Sequence, residues 1–231
     1  MKTIGLIGGV SYESTTHYYQ RINDEVNKRA GGLTSAKMIV YSVNFAEIRE
    51  SMLKNDWDSI YSELMNAAKN LQRAGADCVA IASNTMHKIA LDIQWELCIP
   101  FIHIADCVAK NCKEAGISKV GLLGTKFTML EDFLISRLEE NSLEVCVPEN
   151  ADDIDEIDRI IFDELCKGEI KSTSKERYIQ IANMMVQKNH IQGLILGCTE
   201  IEMLLKEGDV SVPLFDTTQS HVEALAEYCL S

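Results

Sequence analysis

Short apolar runs alternate along the chain with longer stretches of helical period. IGLIGG at 4–9 precedes a helical stretch over about 12–29. MIVYSV at 38–43 precedes one over 57–75, and CVAIAS at 78–83 a short helix past His87. The 57–75 stretch is the clearest: Trp57, Ile60, Leu64, Ala67, Ala68 and Leu71 share one stripe, and Gly75 supplies a stop. Strand, helix, strand in this rhythm predicts an α/β protein built on parallel sheet.

The second half repeats the order. KVGLLGT at 119–125 leads to a helix near 127–140, LEVCV at 143–147 to helices near 154–166 and 174–188, and GLILGCT at 193–199 to a short helix. VPLFD at 212–216 then leads to a final helix. Gly5-Leu-Ile-Gly-Gly matches Gly121-Leu-Leu-Gly-Thr, and Ala82-Ser-Asn-Thr matches Gly197-Cys-Thr-Glu. Gly5 and Ser83 lie 78 positions apart, Gly121 and Cys198 77. IPFIH at 99–103 and VPLFD at 212–216 form a third pair. Internal self-similarity of this kind predicts two copies of one α/β unit, bounded as 1–103 plus 217–231 and as 104–216, with an active site in the cleft between the two lobes. The acidic stretch 148–155 reads as a surface loop.

Ligands of parallel sheets bind outside the carboxyl ends of the strands, which singles out Ser11, Ser83, Thr125 and Cys198. The glycine-rich 5–11 segment is not G-x-G-x-x-G and has no following G-K-[ST]. It reads either as a plain tight turn or as a backbone approach to a small anion such as a carboxylate. Cys198 follows an apolar strand and opens a helix, a placement that lowers a thiol's pKa and supplies a base or nucleophile. Ser83 has the same placement with a hydroxyl; a serine needs an adjacent base to act, and His87 is spaced to reach back one turn. His17, His103, His190 and His221 form no convincing metal pair. Arg49, Lys126, Lys167 and Lys171 are the cations near predicted strand ends that could meet an acidic ligand.

Composition narrows the function classes. In 231 residues, 46% are hydrophobic, 25% charged and only three are proline, as in an ordered soluble protein. The formal charge of -13 argues against nucleic acid and anionic membranes as partners. No apolar run approaches the roughly 18–20 residues of a membrane helix, and the start lacks a secretory layout, so a cytoplasmic protein is expected. The eight cysteines include no CxxC pair, which points to neither a zinc site nor a redox dithiol, and most are expected to be small buried hydrophobes.

With GGVSYEST at 8–15, SNTMH at 83–87, GLLGTKFTM at 121–129 and GCTE at 197–200 in this order, the whole chain resembles the aspartate/glutamate racemase family. It is most similar to the bacterial amino-acid racemases that need no pyridoxal phosphate. The resemblance implies two flavodoxin-like lobes with parallel sheets related by pseudo-twofold symmetry, no cofactor, and a homodimer. It also implies two cysteines, one per lobe, on opposite faces of the substrate α-carbon. Cys198 matches one of them, and Ser83 stands where the other belongs. The donors for developing carbanion charge would be Asn84, Thr85 and Thr199. Ser11 and Thr125 would meet the α-carboxylate or ammonium, and Glu200 the ammonium or Cys198. For the acidic side chain, Arg49 and Lys167 are the matches, with Lys171 in reserve.

The serine at position 83 is the one departure. A hydroxyl is a far weaker acid than a thiol, so the chain as written is expected to be a weak or inactive racemase. The serine is either an introduced one-atom exchange or the natural residue of a one-cysteine relative. Two further activities stay open: decarboxylation of a malonate-type acid, which needs one proton donor, and non-catalytic binding of an amino acid by a degenerate racemase.

Overall fold

Three of the apolar runs become strands with no solvent-facing side. All residues of Ile4–Gly8 (β1) are buried, as are those of Cys78–Ile81 (β3) and Gly193–Leu196 (β6), the mark of parallel sheets covered on both faces. A computed structural model describes residues 1–231 and divides them into two units, Met1–Ile104 with His221–Ser231, and Ala105–Ser220.

In the first unit, Tyr12–Ala30 (α1) follows β1, and Met38–Ser42 (β2) leads to Phe45–Leu53 (α2) and Trp57–Arg73 (α3). β3 leads through a 3-10 turn, Thr85–Ile89, to Ala90–Glu96 (α4). The strands run parallel in the order β2-β1-β3. Ile7, Val79 and Ile81 pack on Ile60, Leu64 and Leu71 of α3. On the other face Ile4, Leu6 and Ala80 meet Tyr18, Ile22 and Val26 of α1 with Val222 and Leu225 from the C-terminal helix. Complete burial of each large aliphatic contributes about 1.5–3 kcal/mol.

The chain leaves this unit in Ile104–Glu114 (α5). The second unit then runs Lys119–Leu123 (β4), Lys126–Leu130 (α6), Asp132–Glu140 (α7), Glu144–Cys146 (β5), Ala151–Asp163 (α8), Ser172–Asn189 (α9), β6, Ile201–Leu204 (α10) and Leu214–Asp216 (β7). Thr217–Leu230 (α11) carries the chain back into the first unit. The parallel order is β5-β4-β6-β7. Its core joins Ile157, Ile160 and Ile161 of α8 and Tyr178 and Ile181 of α9 to Leu123, Leu194 and Leu196 of the sheet. Both orders place the first strand of each unit between the second and third, as in flavodoxin-like sheets.

Several expectations are corrected. The predicted helix 127–140 is two helices, because Glu131 is extended (φ -99°, ψ 147°) and Leu130, 58% exposed, breaks the apolar stripe. The acidic stretch is no loop beyond Asn150. Asn150 Oδ1 accepts from the Asp152 amide (3.1 Å) and starts α8, where acidic residues favour the positive end of the helix dipole; Arg177 pairs with Asp153 and Glu156. The helix expected over 154–166 ends at Asp163 and passes into a 3-10 turn closed by Gly168 at φ 74°. The third pair of the repeat differs in structure: IPFIH is joined to the sheet only by a single bridge, Val79 to Phe101, whereas Leu214–Asp216 of VPLFD forms β7. α2 is an element that the hydrophobic pattern does not announce.

Burial of cysteine is less general than expected. Cys78, Cys107, Cys112 and Cys229 are buried, Cys98 and Cys166 are exposed, and no disulfide links any of them. Burial pushes the Cys78, Cys107 and Cys112 thiols up to about 12. No helix is long and apolar enough to cross a membrane.

Candidate active site

In the first unit the candidate residues gather where β1 and β3 end. Gly9 turns the chain with φ 91°, and a Cβ there would lie 2.2 Å from the Val43 carbonyl oxygen, so glycine is required by the chain's own packing. Thr15 Oγ1 accepts from the Gly9 amide (2.7 Å) and donates to the Ser11 carbonyl (2.8 Å). Ser11 Oγ accepts from the Ser14 amide (3.3 Å) as the cap of α1. Ser14 Oγ donates to the Ala82 carbonyl (3.3 Å), and the Ala82 amide to the Ile7 carbonyl (2.9 Å), which draws the α1 cap and the end of β3 together. Ser11, half-buried Ser83, buried Asn84 and half-buried Thr85 therefore share one strand end.

His87 does not serve Ser83 as a base. Its Nδ1 donates to the Ser83 backbone carbonyl (2.7 Å), and its Nε2 accepts from the Ile104 amide (3.3 Å), so both ring nitrogens are committed to the main chain.

The second unit has a similar arrangement of its own at the ends of β4 and β6. Thr125 Oγ1 accepts from the Thr128 amide (3.4 Å) and caps α6. The Gly197 amide donates to the Leu123 carbonyl (2.7 Å), and Thr217 Oγ1 to the Leu196 carbonyl (2.9 Å), fixing the strand end from both sides. Cys198 Sγ donates to Glu200 Oε2 at 2.9 Å, and Thr199 Oγ1 donates to the same oxygen at 2.7 Å.

The Cys198 thiol is not activated as its position in the sequence suggests. Burial, then the charge of Glu200 and the hydrogen bond to it, push its pKa well above the ordinary value. The helix that follows, α10, spans only Ile201–Leu204, too short for a dipole that offsets a neighbouring carboxylate. At rest the group is a proton donor. Glu200→Gln is expected to lower the thiol pKa and speed alkylation of Cys198 by iodoacetamide at neutral pH. Each tenfold rise in the thiol's acidity brings a gain of about threefold, because a more acidic thiol is also a weaker intrinsic nucleophile. Peptide-resolved mass spectrometry reads the rate, and an unchanged pH profile would mean that Glu200 does not control the thiol.

The cations stand further out. Arg49 is exposed on α2, which leaves the same sheet end as Ser11 and Ser83. Lys167 lies in the 3-10 turn after α8 that packs on α10, with Nζ 3.7 Å from Asp163. Lys171 pairs with Glu164 (3.6 Å) and Glu169 (3.2 Å), and Lys126 with Asp155 (2.6 Å). No group of three or more His, Cys, Asp or Glu side chains could hold a metal ion.

The sequence profile of Asp/Glu/hydantoin racemases matches residues 7–225. The chain belongs to this racemase family. It is similar to a candidate Asp/Glu racemase of known structure from Yersinia pestis, at 46% identity and a TM-score of 0.95 with both chains fully covered. It is also similar to an aspartate racemase homologue from Pyrococcus horikoshii OT3, at 41% identity and a TM-score of 0.89 with the same coverage. A more distant relative is the broad specificity amino-acid racemase RacX of Bacillus subtilis (strain 168), 22% identical over 224 residues, 93% of this chain and 92% of the relative.

Within this family framework three supporting residues are not among the candidate site residues. Thr15 pins the Gly9 turn, Thr217 pins the strand before Cys198, and Asp158 Oδ1 accepts from the Lys126 amide (2.7 Å) beside Thr125. Thr15 has a local signal, four residues past the cap of α1 and thus one helical turn from it. The other two act across long sequence separations that no local pattern encodes.

Proposed function

We propose that the chain binds an acidic amino acid, aspartate or glutamate, and transfers the proton at its α-carbon without a cofactor. Cys198 is the acid/base on one face of that carbon, and Ser83 occupies the opposing position. The observation that carries this reading is the Cys198 thiol bonded to Glu200 at the end of β6, with Ser83 at the corresponding end of β3.

An α-proton is far less acidic than any side chain, so donors must stabilise the developing carbanion. Asn84, Thr85 and Thr199 are the donors of this reading, and the Ser11 and Thr125 hydroxyls meet the α-carboxylate or ammonium. The substrate ammonium meets Glu200. Its positive charge offsets the carboxylate that raises the thiol's pKa, so that binding itself turns Cys198 from donor toward base. Arg49 and Lys167 receive the side-chain carboxylate. Ser83 cannot form an anion readily at neutral pH, so its side of the exchange is slow. The same reading places the protein in the cytoplasm as a homodimer.

The test is loss of the Cα–H signal by proton NMR in D2O, with each enantiomer of aspartate and glutamate. Slow loss from one enantiomer only is expected; no loss from any of the four sinks the proposal. One observation favours a second reading: a neutral thiol donor is also what a malonate-type decarboxylase needs once CO2 has left. CO2 release abolished by Cys198→Ser would select it.

A further inference from the structure

We infer that His87 is a positioning residue for Ser83: a single imidazole ties the carbonyl of the reactive position to the first amide of α5. The inference rests on the racemase reading for what Ser83 does, and on geometry for how Ser83 is held.

His87 is 2% exposed, and its two hydrogen bonds specify its chemical form. A ring that donates from Nδ1 to the Ser83 carbonyl and accepts at Nε2 from the Ile104 amide must be the neutral Nδ1–H tautomer. The SNTMH spacing lets the ring do this. Four residues after Ser83, in a 3-10 turn whose His87 amide donates to the Asn84 carbonyl (3.0 Å), the side chain returns over the peptide joining Ser83 to Asn84.

The ring is itself fixed from three sides. His103 stacks edge-on at 4.6 Å between centroids, Phe101 at 5.9 Å and His221 at 5.9 Å. His221 donates from Nε2 to the Ile102 carbonyl (2.9 Å) and accepts from the Tyr18 hydroxyl (3.0 Å), while burial and the nearby His87 hold its pKa down at about 3, so it adds no charge to the cluster. The segment carrying Phe101 to Ile104 is bonded to β3 through Val79, whose amide donates to the Pro100 carbonyl (2.9 Å) and whose carbonyl accepts from the Ile102 amide (2.9 Å). The peptide that carries Ser83 is thus anchored at both ends, by β3 on one side and by His87 on the other. A histidine that only began a helical turn would need neither bond. Rotation of that peptide would swing the Ser83 side chain, and a displacement of about 1 Å at a reacting group costs on the order of 10²-fold in rate.

Three measurements decide the matter. Nitrogen-15 NMR of the unsubstituted chain should show His87 protonated at Nδ1 and bare at Nε2; a proton on Nε2 overturns the inference. Because this needs no variant, a misfolded substitution does not remove the test. In the Ser83→Cys background, His87→Phe, which keeps a ring but no nitrogen, should lower kcat for α-proton exchange on the order of 10²-fold with KM unchanged. His87→Asn, whose amide can still donate to the Ser83 carbonyl, should recover most of it. Equal loss in both variants, no loss in either, or a loss confined to KM overturns it. The alkylation rate of the thiol introduced at position 83 should follow the same order, changed by Phe and restored by Asn. If neither the parent nor the Ser83→Cys chain exchanges an α-proton, the racemase reading fails, and the tautomer and alkylation rates still judge whether His87 holds the reactive turn.

Discussion

Exchanging Ser83 for cysteine is expected to raise the interconversion of L- and D-aspartate or glutamate by about 10²–10⁴-fold, the usual contribution of a well-placed acid/base. The exchange alters one atom at a half-buried position at the end of β3, so neither the strand nor the 3-10 turn after it has reason to move. What changes is acidity. A thiol ordinarily titrates near pH 8.5 and gives an appreciable thiolate fraction near neutrality, and an alcohol does not. In the proposed two-base reading a second thiol gives either enantiomer a base and its product an acid. Chiral chromatography of timed reactions measures the gain. An unimproved rate with both amino acids would remove the two-base mechanism.

Cys198→Ser should abolish the residual activity of the unsubstituted chain, again by about 10²–10⁴-fold. The replacement is nearly isosteric, and a hydroxyl can still donate to Glu200 Oε2, as the Thr199 hydroxyl does already. Lost activity would therefore reflect lost proton transfer and not lost structure, which an unchanged thermal midpoint would confirm. The two substitutions also separate the candidate activities. A racemase gains from a second thiol and dies without the first, whereas a one-donor decarboxylase gains nothing from the Ser83 exchange. Exchange at Cα that survives Cys198→Ser would place the acid/base elsewhere.

The repeat makes much of the fold legible, because buried parallel strands write themselves as uninterrupted apolar runs. IGLIG, CVAI and GLIL are such runs, each ending at a glycine or at small residues where the chain must turn. α2 is harder to read although its signals are present. Asn44 Oδ1 accepts from the Ala46 amide (3.1 Å), its Nδ2 donates to Glu47 Oε1 (2.7 Å), and Phe45, Ile48 and Met52 share a face. The helix is nine residues long and only Ile48 is buried, so its stripe is weak. The strand ends that carry the candidate residues are legible, and the chemistry of the Cys198 thiol is not. Strand ends locate Ser83 and Cys198, yet the thiol's pKa depends on burial and on the direction Glu200 points, and His87's role on a partner 17 residues away. Neither is a property of local spacing.

The strands that lead to Ser83 and Cys198 rest on unequal supports. β3 lies at the edge of its sheet, steadied on its outer side by the lone bridge to Phe101, while β6 is flanked by β4 and β7 along its length. Edge segments with few ladder bonds open at lower free energy than interior strands. The edge strand β3 is thus expected to exchange its amide hydrogens faster than the interior strand β6, a difference that hydrogen exchange would read strand by strand.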